Sequence, residues 1–346
     1  MQPNRMSIAL GRALLGAAAA LCSGLPFVAG TQQTASGYTV PRTAWGDPDL
    51  TGKWPGTDMV GVPMQREERF GTRNVLTYEE FAERQQRAAQ QTEQDNADFE
   101  LENAASTPGG AVGGAVSPPP HWLERGQPQR QASLIVDPPN GRTPAFTTQA
   151  QERQAALRAY QQSRGPADSY TDRSNYDRCI TRGLSGSVLP VIYNNGTQIF
   201  QAPGYVAIVN EMIHETRVVP LDGRPHVSPT IKMWLGDSRG RFEGDTLVVE
   251  TTNFTDRTGV GVNGGGQRHS EALKITERFT RVADDSIDYQ MTIDDPQTWT
   301  APWTMQFPLR RDDGYGMFEY ACHEGNLAMF NILSGARADE RATRAR

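Results

Sequence analysis

Beyond Cys179 the chain runs as short segments rich in β-branched and aromatic residues: 188–193, 198–201, 205–219, 230–235, 246–252, 272–282, 286–293 and 303–309. Turn-forming residues separate them, among them Asn194-Asn195-Gly196, Asp222-Gly223, the stretch 236–240, Glu243-Gly244-Asp245, Asp284-Asp285 and Asp294-Asp295-Pro296. Eight such segments at hairpin spacing, with no helical period between them, predict a mainly β body of antiparallel strands. The expected architecture is a calycin-like antiparallel β-barrel, with a two-sheet body as the alternative. Within 272–282 the alternation is explicit. Leu273, Ile275, Glu277, Phe279 and Arg281 share one face, while Lys274, Thr276, Arg278 and Thr280 share the other, as in a half-buried strand. Ile287, Tyr289, Met291 and Ile293 repeat the period after Asp284-Asp285, which predicts a hairpin.

The region 31–175 lacks that rhythm. Residues 31–71 are irregular, and Trp45 and Trp54 are expected to anchor them to the body. Thr77 followed by Glu80 resembles a capping box that opens a polar helix over 77–99, and a second polar helix is expected over 147–163. Between them, 107–120 (TPGGAVGGAVSPPP) has too little to bury and too many Gly and Pro residues for regular structure, so it reads as a flexible loop. A short strand is expected at 134–136. The β domain is taken as 176–337, and 338–346 as a disordered tail.

The first thirty residues have a different pattern. A basic start with Arg5, an apolar stretch over 8–20 broken only by Arg12, and compact residues at Val28, Ala29 and Gly30 make up a cleavable signal peptide. The uninterrupted apolar run is shorter than the roughly 20 residues of a spanning helix. Cys22 follows a bulky Leu21, which argues against a lipoprotein signal. Export to a periplasm or the medium is therefore expected, with no stable membrane insertion after cleavage. Two cysteines then remain, Cys179 and Cys322. In an oxidising compartment they read as one disulfide worth about 4 kcal/mol, or as two buried thiols. A net charge of −6 without a basic patch argues against nucleic acid as a partner.

Candidate chemistry concentrates at 210–217, where Glu211, His214, Glu215 and Arg217 interrupt an apolar segment. As one continuous strand, Glu211, Glu215 and Arg217 would share a face, and His214 would lie on the other. Either a polar cavity meets this strand, or it is a strand end with an ordinary pair such as Glu215 with Arg217. His323 and Glu324 form a second potential acid/base pair beside Cys322. Further candidates for substrate contact are Arg182, Tyr193, His226 after the turn at Asp222-Gly223, Trp234 and Asp237. Asp237, in a turn, is as readily a cap for its own backbone. His121 and His269 read as solvated loop residues. No HExxH pattern is present. A metal assembled from His214, His226, Glu211 and His323 is not demanded by their spacing, and no cofactor is expected.

The runs NEMIHETRVVPLDGRPH (210–226), WLGDSRGRFEGDTLVVETTNF (234–254), ERFTRV (277–282), TIDDPQTWTAPWT (292–304) and YACHEGN (320–326) resemble a group of exported bacterial proteins of unassigned function. The resemblance spans about half of the chain. It implies secretion, a β-rich body and occurrence in bacteria with broad catabolic repertoires, and no activity.

Three functions follow as expectations. The first is an exported enzyme of the hydrolase or lyase kind, acting on a small organic or sugar-derived substrate. His214 or His323 would serve as base, Glu211 or Glu324 as acid or orienter, and Arg217 or Arg182 would hold an anionic or carbonyl oxygen. The second is a lipocalin-like protein holding an apolar ligand between Trp234, Trp299 and Trp303. The third is a structural module of the envelope.

Overall fold

The computed structural model describes residues 37–97, 122–262 and 266–345. The signal-like segment 1–30, the Gly/Pro loop 107–120 and His121 lie outside them. Two antiparallel sheets make up the body. In the smaller, β1 (Gly52–Lys53), β3 (Thr197–Ala202), β4 (Tyr205–Asn210) and β5 (Thr216–Pro220) lie side by side in that order. In the larger the order is β2 (Ile135–Asp137), β12 (Trp303–Arg310), β11 (Ser286–Asp294), β10 (Lys274–Ala283), β7 (Thr246–Thr252) and β6 (Asp237–Glu243). A two-stranded ribbon, β8 (Gly259–Val260) with β9 (Gln267–Arg268), completes the strands.

The hairpin read from the alternation is present, with Phe279 opposite Tyr289, Ile275 opposite Ile293, and Ala283 opposite Ser286 at the Asp284-Asp285 turn. Gly244 takes a φ of +61° in the two-residue turn between β6 and β7, as its position predicted. The inward residues of β10, β11 and β12 (Ile275, Phe279, Ile287, Tyr289, Met291, Trp303, Met305, Phe307) pack against Ile199, Val206, Ile208 and Val219 of the smaller sheet. Each such side chain contributes about 1.5–3 kcal/mol by leaving water.

The sheets do not close into a barrel. β5 and β6 are neighbours without a hydrogen-bonded ladder. Gly240 lies so close to the smaller sheet that a Cβ there would come 2.7 Å from Leu221 Cδ2 and 2.8 Å from Val219 Cγ1. Side-chain packing, not strand pairing, joins the sheets at this seam.

Several expected strands are absent or divided. Segment 205–219 is two strands, because a turn over Met212–His214 reverses the chain between β4 and β5. Residues 183–188 form a short helix, and 188–193 continues as loop past Pro190. Segment 230–235 follows Pro229 and makes one isolated bridge, Met233 to Phe254. In return β6, whose polar Asp237-Ser238-Arg239-Gly240 start read as a turn, is a full strand paired along β7.

The N-terminal region contributes two polar helices, α1 (Tyr78–Ala97) and α2 (Thr148–Gln162). Thr77 and Glu80 form the capping box: the Glu80 N–H donates to Thr77 Oγ1 at 3.2 Å, and the Thr77 N–H donates to Glu80 Oε2 at 2.8 Å. Trp54 is fully buried and donates its indole N–H to the Leu50 carbonyl at 2.9 Å. Trp45 instead remains 41% exposed and donates its indole N–H to Asp47. The short helix Gly183–Val188 is α3, and α4 runs Ala328–Arg344. Residues 338–344, expected as disordered tail, are thus the last turns of a helix, held where Arg337 donates to the Ala167 and Asp168 carbonyls. Among the described residues no helix is long and apolar enough to cross a membrane.

Candidate functional site

Three segments distant in sequence meet beside the edge of the smaller sheet. The first, 176–188, carries Tyr176, Cys179, Thr181 and Arg182 into α3. The second is the turn between β4 and β5, with His214 and Glu215. The third, 311–327, holds neither helix nor strand and runs from β12 to α4. A disulfide joins first and third, Cys179 to Cys322 across 143 positions with Cα atoms 5.7 Å apart. Of the two readings of this pair, one disulfide or two buried thiols, the structure has the disulfide.

At the centre is Arg182, 1% exposed. Its Nε and Nη1 are buried and meet no hydrogen-bond acceptor among the described residues. The guanidinium carbon lies 5.0 Å from the centroid of the Tyr176 ring. Around it three phenols form a chain, Tyr176 bonding the Tyr193 hydroxyl at 2.7 Å and the Tyr320 hydroxyl at 2.9 Å. Burial raises the Tyr176 and Tyr320 pKa values; the neighbouring phenols add to the rise at Tyr176. These hydroxyls therefore stay protonated near neutral pH. Desolvation lowers the Arg182 pKa, and the phenols and Glu215 offset part of that. Glu215 is the nearby carboxylate. Thr181 Oγ1 and Ser187 Oγ each donate a short hydrogen bond to one of its oxygens. Burial nevertheless raises its pKa above the usual carboxylate range.

Backbone strain gathers at the same place. Among the described residues five that are not glycine have positive φ, and four of them, Cys179, Asn194, Ile213 and His214, belong to the three segments or adjoin Tyr193. Ile213, at +56°, is β-branched, the residue type least tolerant of this region. Strain of about 1–3 kcal/mol per residue persists where surrounding contacts over-determine the conformation, and active sites are where it collects.

The sequence candidates fall into separate groups. Arg182 and Tyr193 share this cluster. His214 sits at its exposed rim, where Nδ1 donates to the Tyr320 carbonyl at 3.0 Å, leaving Nε2 as the free nitrogen. Cys322 brings His323 and Glu324 near, but both are exposed. Glu211 is buried with its acceptors occupied, by the Tyr315 hydroxyl at 2.7 Å, Asn194 Nδ2 at 3.0 Å and the Phe318 N–H at 3.1 Å. Arg217 turns away into the core and pairs with Glu277, not with Glu215. Glu215 and Arg217 both face inward on the extended segment that enters β5, and it is Glu211 that the turn at 212–214 takes off this face.

His226 belongs to another group. Its Nδ1 lies 2.9 Å from Asp237 Oδ2, and Asp237 also accepts from the Val227 N–H and from Arg239. Burial pushes the Asp237 carboxyl up, but these donors outweigh it and hold the pKa below the ordinary value. His226 and His214 share no partner among the described residues. Trp299 and Trp303 pack on each other in the core, ring centroids 5.5 Å apart, and both are buried; Trp234 is half-buried in a loop. His269, expected in solvent, is 3% exposed. No three His, Cys, Asp or Glu side chains converge as metal ligands among the described residues.

Pattern reading took Glu215 no further than an ion-pair partner for Arg217, and it missed Tyr176 and Tyr320 altogether. The signal that leads to them is the cysteine pair, since a Cys179–Cys322 bridge necessarily brings Tyr176 and Arg182 beside Tyr320. Compared with known proteins, the chain matches no family model, no curated protein and no solved structure.

Proposed function

We propose that the protein is an exported acid/base enzyme, of the lyase or hydrolase kind, that works on a small organic or sugar-derived substrate at the Arg182 cluster. The observation that carries this reading is the buried guanidinium of Arg182 with two donors unmatched. A buried cation without partners costs several kcal/mol, and folds retain such groups where a ligand completes them. In a dry site, a fixed cation is well suited to stabilise negative charge that develops on a reacting oxygen.

Glu215 is the proton carrier in this scheme. Its raised pKa moves it toward the pH at which a carboxyl group both gives and takes protons efficiently. The chain of Tyr193, Tyr176 and Tyr320 hydroxyls supplies neutral donors and a relay for the proton. His214, at the rim with Nε2 free, is a second base. Export rests on the composition of residues 1–30, and the disulfide suits an oxidising compartment.

The test is a turnover screen of the mature protein against small esters, lactones, sugar acids and hydroxy acids. For a substrate that is turned over, Glu215→Gln lowers kcat by about 10²–10⁴ and removes one limb of the pH profile. Arg182→Gln lowers it by about 10²–10³. Unchanged rates in both variants would overturn the assignment.

A further inference from the structure

We propose that the ligand seated on Arg182 is a small organic carboxylate, a monoanion held by the free guanidinium donors and by one phenol hydroxyl. This rests on reading the cluster as the working site, and it names the ground-state charge of what binds there.

The argument is a charge balance. Arg182 keeps its proton at any ordinary pH, and among the described residues no carboxylate bonds its Nε or Nη1; Glu215 acts on it only through space. Tyr176 and Tyr320 keep their protons, their pKa values being raised by burial. Glu215 has both oxygens engaged by Thr181 and Ser187 and, as burial raises its pKa, gives up its proton reluctantly. The other deeply buried arginines are already matched. Arg217 has Glu277, and Arg66 donates to the Pro139 and Ile135 carbonyls, to Ser133 Oγ and to Asn74 Oδ1. Arg281 donates to the Asp49, Ala283 and Asp284 carbonyls, and of these four buried arginines Arg182 alone has buried nitrogens without an acceptor among the described residues. One unmatched positive charge calls for one negative charge. A phosphate or sulfate dianion would bring a second with no second cation to receive it.

Hydrogen-bond counting leads to the same class. The three phenols hold three protons, and the two contacts through Tyr176 use two of them. One remains for a ligand oxygen. A carboxylate has two oxygens and about four lone-pair sites, enough to accept from guanidinium N–H groups and one hydroxyl together. The aromatic rings around the guanidinium provide an apolar wall for the organic part, which a chloride or nitrate ion would leave unused. Entry requires movement of the 311–327 segment, because Arg182 is closed off from solvent and Tyr320 lies on that segment.

The test is thermal unfolding of the disulfide-intact protein in sodium acetate, propionate or benzoate, against chloride, nitrate, sulfate and phosphate at equal ionic strength. Carboxylates are expected to raise Tm saturably, by roughly 2–6 °C at high occupancy, with the other anions giving no saturable rise. Arg182→Met is expected to unfold at higher temperature than the wild type without ligand and to lose the carboxylate response. Tyr193→Phe, which keeps the cation, is expected to weaken carboxylate binding about tenfold, and decides the matter should Arg182→Met not fold. The proposal is overturned by a rise equal in chloride or nitrate, by tighter binding of sulfate or phosphate, or by a carboxylate response that survives in both variants. Saturable carboxylate binding with no turnover of any substrate would sink the enzyme reading and leave this one standing. Turnover of neutral substrates without carboxylate binding would do the reverse.

Discussion

The guanidinium of Arg217 on β5 meets the carboxylate of Glu277 on β10 across the interior, Nη2 donating to Oε1 at 2.9 Å, and the two sheets are tied at that point. Tyr289 of β11 donates its hydroxyl to the same oxygen at 2.9 Å. Glu277 is wholly buried, so each partner depends on the other for its solvation. Arg182, similarly buried, has no such partner for its Nε and Nη1 among the described residues. The contrast separates an arginine that joins the sheets from one left open for a ligand.

Breaking the Arg217 pair from one side is therefore expected to be far worse than removing it altogether. Arg217→Met or Glu277→Leu alone leaves an uncompensated buried charge and should cost about 3–5 kcal/mol. The double variant should recover most of that loss. Urea unfolding of the two single variants and the double variant measures the coupling, and additive losses would show that the pair does not act as a unit.

How much of this was legible in the sequence depends on range. The β10–β11 hairpin was, because a period of two over ten residues and an Asp-Asp turn are local signals. β6 was not, because Asp237, Ser238, Arg239 and Gly240 are turn-like residues whose strand conformation comes from pairing with β7. Segment 188–193 failed in the opposite sense. Its β-branched residues suggested a strand, but Pro190 and the bonds of Asn195 to the Val191 N–H and carbonyl hold it as a loop. The polar residues of 210–217 were rightly singled out as unusual, and their partners were out of reach: Glu277 is 60 positions from Arg217. Such pairing is a property of the fold, and no period announces it.

His269 gives acid sensitivity a definite place. Its Nδ1 donates to the Ser270 carbonyl at 2.9 Å, and Nε2 lies 2.7 Å from Thr258 Oγ1, so the neutral ring is fully bonded. Burial lowers its pKa from the ordinary 6.5. Below 6.5 the unfolded chain takes up a proton that the folded protein refuses, so stability falls as pH drops through the window between the two values. The slope there is at most about 1.4 kcal/mol per pH unit. His269→Gln should flatten the stability profile between pH 5 and 7 relative to the wild type, as read by urea unfolding.

Glu215 acts with the opposite sign. Its folded pKa lies above the ordinary 4.5, so between those values the folded protein holds a proton that the unfolded chain has lost. Stability is greatest below 4.5 and declines as pH rises through the raised value. Glu215→Gln keeps an oxygen for the Thr181 or Ser187 hydroxyl and removes the buried charge. The variant is expected to be more stable than the wild type at pH 7 and to lose that advantage toward pH 4. A variant less stable at pH 7 would mean that Glu215 is held for its charge, as a structural partner of Arg182.

The Cys179–Cys322 bond closes the longest covalent loop in the protein and fixes the 311–327 segment over the cluster at one point. With 143 positions between the cysteines, the loop entropy removed from the unfolded chain corresponds to about 5 kcal/mol. Cys179→Ser with Cys322→Ser should lower unfolding free energy by up to that amount. The loss is expected to be local first, because 311–327 has no ladder hydrogen bonds and is held by side chains such as Glu211 and by the Lys53 carbonyl. Amide exchange should therefore rise in 311–327 and at the His214 turn well before the β10–β12 hairpins, with Tyr320 freed from Tyr176. Uniform acceleration across both sheets would instead show that the bond stabilises the whole fold, with no special hold on the segment that covers Arg182.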